Sequence, residues 1–313
     1  MHAPDPTAPE APCRVGVVVE APQHSGLWGA LDYLHPQALP AGALVRVPLG
    51  RRVVTGVVWD PVASQGDVPP ESLKAVLENI GDKVAGMIVE PAMMNINIIP
   101  PKEGYLEAVR ELTQQYGIKL IFDEVKTGAT MSHGGATGYY GVTPDMITLA
   151  KATCGGYPGG SIGMSDEIAQ LVEDDRVKQY GTFNGNPLVM AAAKAALTEV
   201  LTEEAYVELN EKNEYLKARC QEIIDKYGLP AYVEGIGAKG CVIFSPERIY
   251  EYRDYAEYVD AELSTLGWLY HMNHGIFMTP GVEEEWTLSV FHTEQDLDNY
   301  ATAFEAFARD VTA

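Results

Sequence analysis

Lys151 closes a short apolar run, "DMITLAK" (145–151), and four glycines follow it in "ATCGGYPGG" (152–160). A lysine at a strand end can simply snorkel its ammonium into water. Glycines on one side change that reading, because they let the backbone approach a ligand closely or take positive φ. Lys151 is therefore a candidate for the amine that forms a Schiff base with a carbonyl cofactor. A second strand end, in "IKLIFDEV" (118–125), carries Asp123. A pyridine ring acts as an electron sink when its nitrogen is protonated, and a carboxylate within hydrogen-bond reach holds that proton. A lysine opposite would hold the aldehyde as an imine and shuttle protons at the substrate carbon. Desolvation and a nearby cation would lower its pKa. Taken alone, Asp123 reads as a turn cap; taken with Lys151, it reads as half of a site.

Both residues need strands to place them. "KVAGMIVEP" (83–91), "IKLIFDEV" and "DMITLAK" read as buried strands, and "EGYLEAVRELTQQYG" (103–117) as an amphipathic helix stopped at Gly117. An Ala-rich helix follows in "NPLVMAAAKAALTEVL" (186–201), then a long charged one in "TEEAYVELNEKNEYLKARCQEIIDKYG" (202–228). Apolar strands separated by helices predict a mostly parallel sheet covered on both faces, with ligands at the carboxyl ends of its strands. From about residue 230, short strands and one or two helices predict a smaller α+β domain.

The first sixty residues are different. "CRVGVVVEAP" (13–22) and "GALVRVPLGRRVVTGVVWD" (42–60) are β-rich runs without a 3.6-residue period, the second with "PLG" as its turn. They predict a small β-barrel or half-barrel ending near Asp60. "PVASQGDVPPES" (61–72) has linker chemistry. Charge divides the same way. Residues 1–60 hold four Lys and Arg against five Asp and Glu, a balance of −1, and the remainder hold 18 against 39, or −21. An acidic body repels nucleic acid and anionic membrane but tolerates a phosphorylated cofactor held by backbone N–H groups.

At 313 residues and 46% hydrophobic, the chain has enough material for two domains and a sizeable core. No apolar run approaches the roughly 18–20 residues of a membrane span, and "MHAPDPTAPEAP" lacks signal-peptide regions, so a cytoplasmic location is expected. Cys13, Cys154, Cys220 and Cys241 show no CxxC spacing and read as reduced thiols. His271 and His274 lie three apart without a further ligand pattern, so no metal is expected.

The wording of two segments resembles known families. Residues 13–60, with "LDYL" and "VRVPLGRRVVTGVV", resemble the N-terminal 3′-end-binding domain of the primosomal replication-restart helicase. That implies a DNA-end module resting on Arg46, Arg51 and Arg52, although no GxxxxGK[ST] loop follows. From about 68 to 313 the chain resembles class III pyridoxal-phosphate aminotransferases, in the glutamate-1-semialdehyde aminomutase and D-amino-acid aminotransferase branch. The matching stretches are "IVEPAMMNINIIPPKEGYLEAVRELTQQYGIKLIFDEVKTG", "PDMITLAKATCGGYPGG", "YGTFNGNPLVMAAAKAAL" and "SVFHTEQDLDNY".

The resemblance implies pyridoxal 5′-phosphate as cofactor, Lys151 as its Schiff-base lysine and Asp123 as partner of the pyridine nitrogen. It places Val125 against the ring and Glu90 and Asn95 close to the cofactor. Thr182 would reach the phosphate of a neighbouring subunit, which implies a homodimer, and Glu284 would lie near the substrate entrance. His292 would position backbone. The implied organisation is a small β-rich domain (1–62), a partial fold-type-I large domain (63–200) and a C-terminal α+β domain (201–313). Residues 1–67 do not read as the family's upstream segment, which supplies a Ser/Gly/Thr phosphate loop and a stacking aromatic. That mismatch leaves open two unrelated fragments joined together or a fusion whose site a partner chain completes, and beside amino-group transfer it leaves the alternative of a DNA 3′-end-binding module fused to an inert aminotransferase remnant. The resemblance implies a small amino-acid or amino-ketone substrate, and transfer between molecules and migration within one both stand.

Overall fold

The computed structural model describes residues 13–19, 31–35, 44–49, 52–59, 73–279 and 285–313. The chain divides into two compact units, Met1–Ala75 and Val76–Ala313. In the first, β1 (Cys13–Val19), β2 (Leu31–His35), β3 (Leu44–Leu49) and β4 (Arg52–Trp59) form an antiparallel sheet in the order β2-β1-β4-β3. Val, Thr and Trp along β4 suit a pleated surface. Pro48 and Leu49, expected in the turn, instead belong to β3 and pair with Val53 and Arg52. Helix α1 (Leu73–Ile80) follows.

The second unit carries a four-stranded sheet of β5 (Gly86–Val89), β6 (Lys119–Asp123), β7 (Met146–Leu149) and β8 (Ser161–Met164), ordered β5-β6-β7-β8. The first three are parallel and β8 is an antiparallel edge. Helix α2 (Tyr105–Tyr116) connects β5 to β6 and ends where predicted, at Gly117 with φ 67°. Arg110 of α2 pairs with Asp145 at 2.5 Å, and the same carboxylate accepts from Leu120 N at 2.8 Å, which fixes the start of β7 against β6. Helix α3 (Gly135–Tyr140) precedes β7, and α4 (Asp166–Glu173) and α5 (Pro187–Ala195) follow β8. Asn186 caps α5 by accepting from the N–H groups of Leu188 and Val189.

Coverage of this sheet is uneven. Leu120 and Phe122 of β6 are fully buried, but all four residues of β7 are half-buried and Ile88 of β5 is 61% exposed. The apolar helix α5 buries no residue.

The core is densest further on. Helix α6 (Glu203–Tyr227) is capped by Thr202 and packs on a second sheet of β9 (Tyr232–Ile236), β10 (Lys239–Ile243) and β11 (Glu285–Thr287), ordered β11-β10-β9. After α7 (Tyr252–Tyr258), helices α8 (Ala261–Asn273) and α9 (Glu294–Val311) close this region around Leu216, Phe304 and Phe307. The hairpin turn between β9 and β10 needs glycine at 237. Its φ is +61°, and a Cβ there would lie 2.2 Å from Thr130 O. The close approach lets Ala238 N donate to Thr130 O at 2.7 Å, which ties the two sheets together.

His271 of α8 is 1% exposed and stacks on Tyr300 with ring centres 4.7 Å apart. Nδ1 meets Gly267 O at 2.8 Å, and Nε2 has no partner among the described residues. Burial pushes its pKa below the usual value. The folded state thus prefers the neutral ring, while the unfolded chain takes up a proton below about pH 6.5. This contribution is intact above that pH and is lost as pH falls through it. Thermal melts at pH 7 and 5.5 are expected to show a smaller loss of Tm for His271→Phe than for the parent; equal losses would remove His271 as a cause.

Candidate active site

The two strand ends belong to neighbouring parallel strands, and the surroundings of Lys151 have features that the sequence did not signal. Asp123 is the last residue of β6, and its Oδ1 accepts from Val125 N and from Thr148 Oγ1 on the adjoining β7, each at 3.1 Å. Both bonds end on Oδ1, so the orientation of the carboxylate is fixed while Oδ2 can serve a further donor. Its neighbour Glu124 turns the other way and is 2% exposed. It accepts from Ala136 N at 2.6 Å, and from Thr137 N at 3.0 Å and Thr137 Oγ1 at 2.5 Å. That buried anchor holds the loop after β6 in place, and alternation along "FDEV" sends Asp123 and Val125 to the opposite side.

Lys151 lies two residues past the end of β7, at the start of a tight turn over Lys151–Cys154, with φ +54°. A left-handed non-glycine residue costs on the order of 1–3 kcal/mol and occurs where the surrounding structure demands it. Gly155 and Gly156 continue in the same region at φ +58° and +87°. The turn aims Lys151 into a cavity of about 260 Å³ lined by Val125, Lys126, Thr130, Lys151, Lys239 and Glu285, among others.

Charge in this cavity is concentrated. Glu285 has 5% of its side chain exposed and pairs with Lys239 at 2.5 Å and Lys126 at 3.5 Å. Lys126 also donates to Met94 O. Partial burial, and then the ammonium groups of Lys126 and Lys239, lower the pKa of Lys151; Glu285 and Glu90 oppose the shift. Burial raises the pKa of Glu90, helped by Asp123 and Glu285 and opposed by Met94 N and Lys126. Glu90 accepts from Asn95 Nδ2 through one oxygen and from Met94 N through the other, at 3.3 Å.

Lys151 and Val125 thus share one cavity wall, Asp123 ends β6 bonded to Thr148 of β7, and Glu90, bonded to Asn95, acts on the charge of Lys151. Thr182 lies elsewhere, exposed between Tyr180 and Phe183, which are 75% and 81% exposed. Glu284 falls outside the described residues. His292 accepts at Nδ1 from Ser289 N, at 2.9 Å, and so braces backbone. Sequence reasoning missed Lys126, although it follows the strand end directly. It also missed Lys239 and Glu285, which meet only because β10 pairs with β11 in the register Cys241–Glu285. Among the described residues no cluster of three or more His, Cys, Asp or Glu is placed to hold a metal ion.

The residues present suit pyridoxal phosphate at two of its ends. Lys151 offers an amine of lowered basicity for the aldehyde, and Asp123 Oδ2 an acceptor for the ring nitrogen. Among the described residues no Ser/Gly/Thr loop lines the cavity. Its hydroxyls are those of Thr130, Thr279 and Thr287, and Thr130 Oγ1 already donates to Lys126 O at 2.6 Å.

Residues 58–266 match the family described as Aminotransferase class-III, and residues 16–96 match the 3′DNA-binding domain (3′BD). The chain is 33% identical over 280 residues to glutamate-1-semialdehyde 2,1-aminomutase 2 of Lachnoclostridium phytofermentans, a match covering 86% of this chain and 65% of that protein. Among solved structures, an omega-transaminase from Sphaerobacter thermophilus superposes with a TM-score of 0.72 at 28% identity, over 77% of this chain and 55% of that one. A glutamate-1-semialdehyde aminomutase from Pseudomonas aeruginosa, in complex with PMP, superposes with a TM-score of 0.69 at 25% identity, over 75% and 54%. The chain therefore spans between about half and two thirds of the length of the relatives it matches.

The electrostatics of Lys151 can be read without any ligand. Amine acetylation followed residue by residue by mass spectrometry is expected to give Lys151 a pH midpoint below the ordinary lysine value of about 10.4. Removing a neighbouring positive charge, by Lys126→Met or Lys239→Met, is expected to move that midpoint up. A midpoint that stays put in both variants would show that burial alone sets it.

Proposed function

The chain belongs to the class III aminotransferases, and from that premise we propose that residues 63–313 carry pyridoxal-phosphate-dependent amino-group transfer centred on Lys151. In this reading 63–200 form the cofactor-binding part, 201–313 the smaller domain and 1–62 a separate module. The observation that carries the proposal is the placement of Lys151, held left-handed at a strand end with its amine on a cavity wall shared with Val125 and with Asp123 beside it.

Pyridoxal phosphate, when bound, supplies an aldehyde that captures amines and a ring that withdraws electrons from the carbon bearing them. The chain's own part follows from its side chains. Lys151 Nζ sheds its proton more readily than an ordinary lysine, so more of it is nucleophilic near neutral pH. The same nitrogen can then take a proton at one carbon of the substrate and return it at another. Asp123 Oδ2 keeps a proton on the ring nitrogen, with Thr148 and Val125 N holding the carboxylate in line. Val125 gives the ring an apolar wall, and Glu90 with Asn95 borders the cofactor. Thr182, exposed in a single chain, is assigned to the phosphate of a second subunit's site in a homodimer. Glu284 is assigned to the substrate entrance. The substrate class is a small amino compound, and both transfer and mutase chemistry fit this machinery.

The match of residues 16–96 supports a second, subordinate reading, a DNA 3′-end module in the N-terminal part. With a net charge of −22 the whole chain repels phosphates. The full chain is expected to bind 3′-ended DNA weakly at 0.15 M salt and more tightly at low salt. Sub-micromolar binding at 0.15 M would make DNA recognition the leading function.

Two measurements test the main proposal. Incubation with pyridoxal phosphate, borohydride reduction and peptide mapping is expected to place the adduct on Lys151 and to lose it in Lys151→Ala; equal labelling of Lys126 or Lys178 would sink the assignment. Retention of the cofactor is expected to be poor. Charge-assisted bonds contribute roughly 1.5–3 kcal/mol each, so two missing phosphate contacts weaken binding by about 3–6 kcal/mol, on the order of a hundred- to ten-thousandfold. Dialysed protein should be nearly colourless, whereas a stoichiometric dialysis-resistant yellow chromophore would show the phosphate end to be filled from elsewhere.

A further inference from the structure

Asn184 is the one asparagine of the nine in this chain that a glycine follows. Both residues are exposed, in the segment between α4 and α5. Asn184 N donates to Gly181 O at 3.0 Å and Asn186 N to Phe183 O at 3.1 Å, so two turns overlap here. Gly185, between the two donors, has φ +67°, and no described residue accepts from its N–H. A Cβ at 185 would meet nothing within 4 Å. The Asn184 side chain folds back over Gly181, where its Nδ2 donates to Gln179 Oε1 at 3.1 Å. That is one neutral hydrogen bond at an exposed surface, which water replaces readily. These features favour one reaction. An asparagine side chain reaches the backbone groups next to it, and a following glycine brings no Cβ to hinder the approach. A backbone N–H committed to no acceptor is open to hydroxide.

We propose that Asn184 is a modification site, the place of a spontaneous, backbone-assisted deamidation in the folded chain. Gly185 N loses its proton to hydroxide and bonds to Asn184 Cγ. The bond from Cγ to Nδ2 breaks, ammonia leaves, and a cyclic imide closes. Water then opens the ring. Addition at Cγ breaks the new bond and leaves aspartate. Addition at the main-chain carbonyl carbon of residue 184 breaks the old peptide bond and leaves isoaspartate, with the backbone running through the former side chain. In sum, amide and water give acid and ammonia, with no oxidant or reductant. Either product adds a carboxylate to the turn that carries Thr182. Isoaspartate also lengthens the main chain just before Asn186, the cap of α5. The inference stands on this turn alone and not on the reading of Lys151.

The test is incubation of the full chain at pH 7 and pH 8, with the tryptic peptide 179–194 followed over time by mass spectrometry. Asn184 is expected to convert about tenfold faster than Asn95, which is also exposed but precedes isoleucine. The rate should rise about tenfold from pH 7 to pH 8, as the loss of a proton far below its pKa requires. Isoaspartate should appear beside aspartate, and a more acidic form of the intact chain should grow in step on ion exchange. Asn184→Gln is expected to remove both. Retention of Asn184 by the folded chain, under conditions where the urea-unfolded chain loses it, overturns the inference, and this arm needs no variant. Aspartate without isoaspartate would show direct hydrolysis and overturn the imide route. Conversion of Asn184 no faster than that of Asn95 would remove the glycine as its cause and overturn the assignment.

Discussion

The buried carboxylate of Glu285, set between the ammonium groups of Lys239 and Lys126, is the interaction on which the cavity depends. Removing an ion from water costs several kcal/mol even after relaxation, and only close, well-directed partners offset it. Here the two partners arrive from two places, Lys239 from β10 and Lys126 from the loop after β6, while β11 carries the carboxylate itself. The pairing of Cys241 with Glu285 fixes the depth of the carboxylate, and Gly237 allows the hairpin to approach Thr130 closely enough to bring Lys239 to the cavity. Loss of either lysine would leave an imperfectly paired buried charge, so the cluster constrains register as well as electrostatics.

The strand-end residues are held by different means. Asp123 is held by hydrogen bonds to one oxygen, which orients it without using its full capacity. Lys151 is held by backbone conformation, and its basicity is set by burial and by charges on other elements. One residue is tuned by local bonds and the other by the assembled cavity.

The parallel sheet shows where stabilisation is thin. Strands in parallel sheets are normally covered on both faces, yet β7 is half-buried throughout and Ile88 of β5 is mostly exposed. Helix α5 is apolar along its length and buries nothing. Phe183 and Leu188 add to the same exposed apolar surface. Patches of this kind on a folded chain mark surfaces that other polypeptide covers. The relatives of the family are longer, and this chain spans between about half and two thirds of them.

The sequence by itself determined the main elements and singled out two strand-end residues. Apolar runs separated by amphipathic stretches predicted β5, β6, β7, α2 and α6, and the glycines after Lys151 marked it before any fold was known, because glycine at a strand end has a local conformational cause. Asp123 was legible for the same reason, since strand ends in such sheets face one side. Short elements such as β8 and α3 were not, because tertiary pairing rather than local periodicity makes them. Only the tertiary structure decided that Lys239 and Glu285 line the cavity that Lys151 enters. They are 46 residues apart, neither lies in a motif, and each reads in sequence as a solvated surface charge. What joins them is antiparallel register between β10 and β11, a long-range property that no window of the sequence contains.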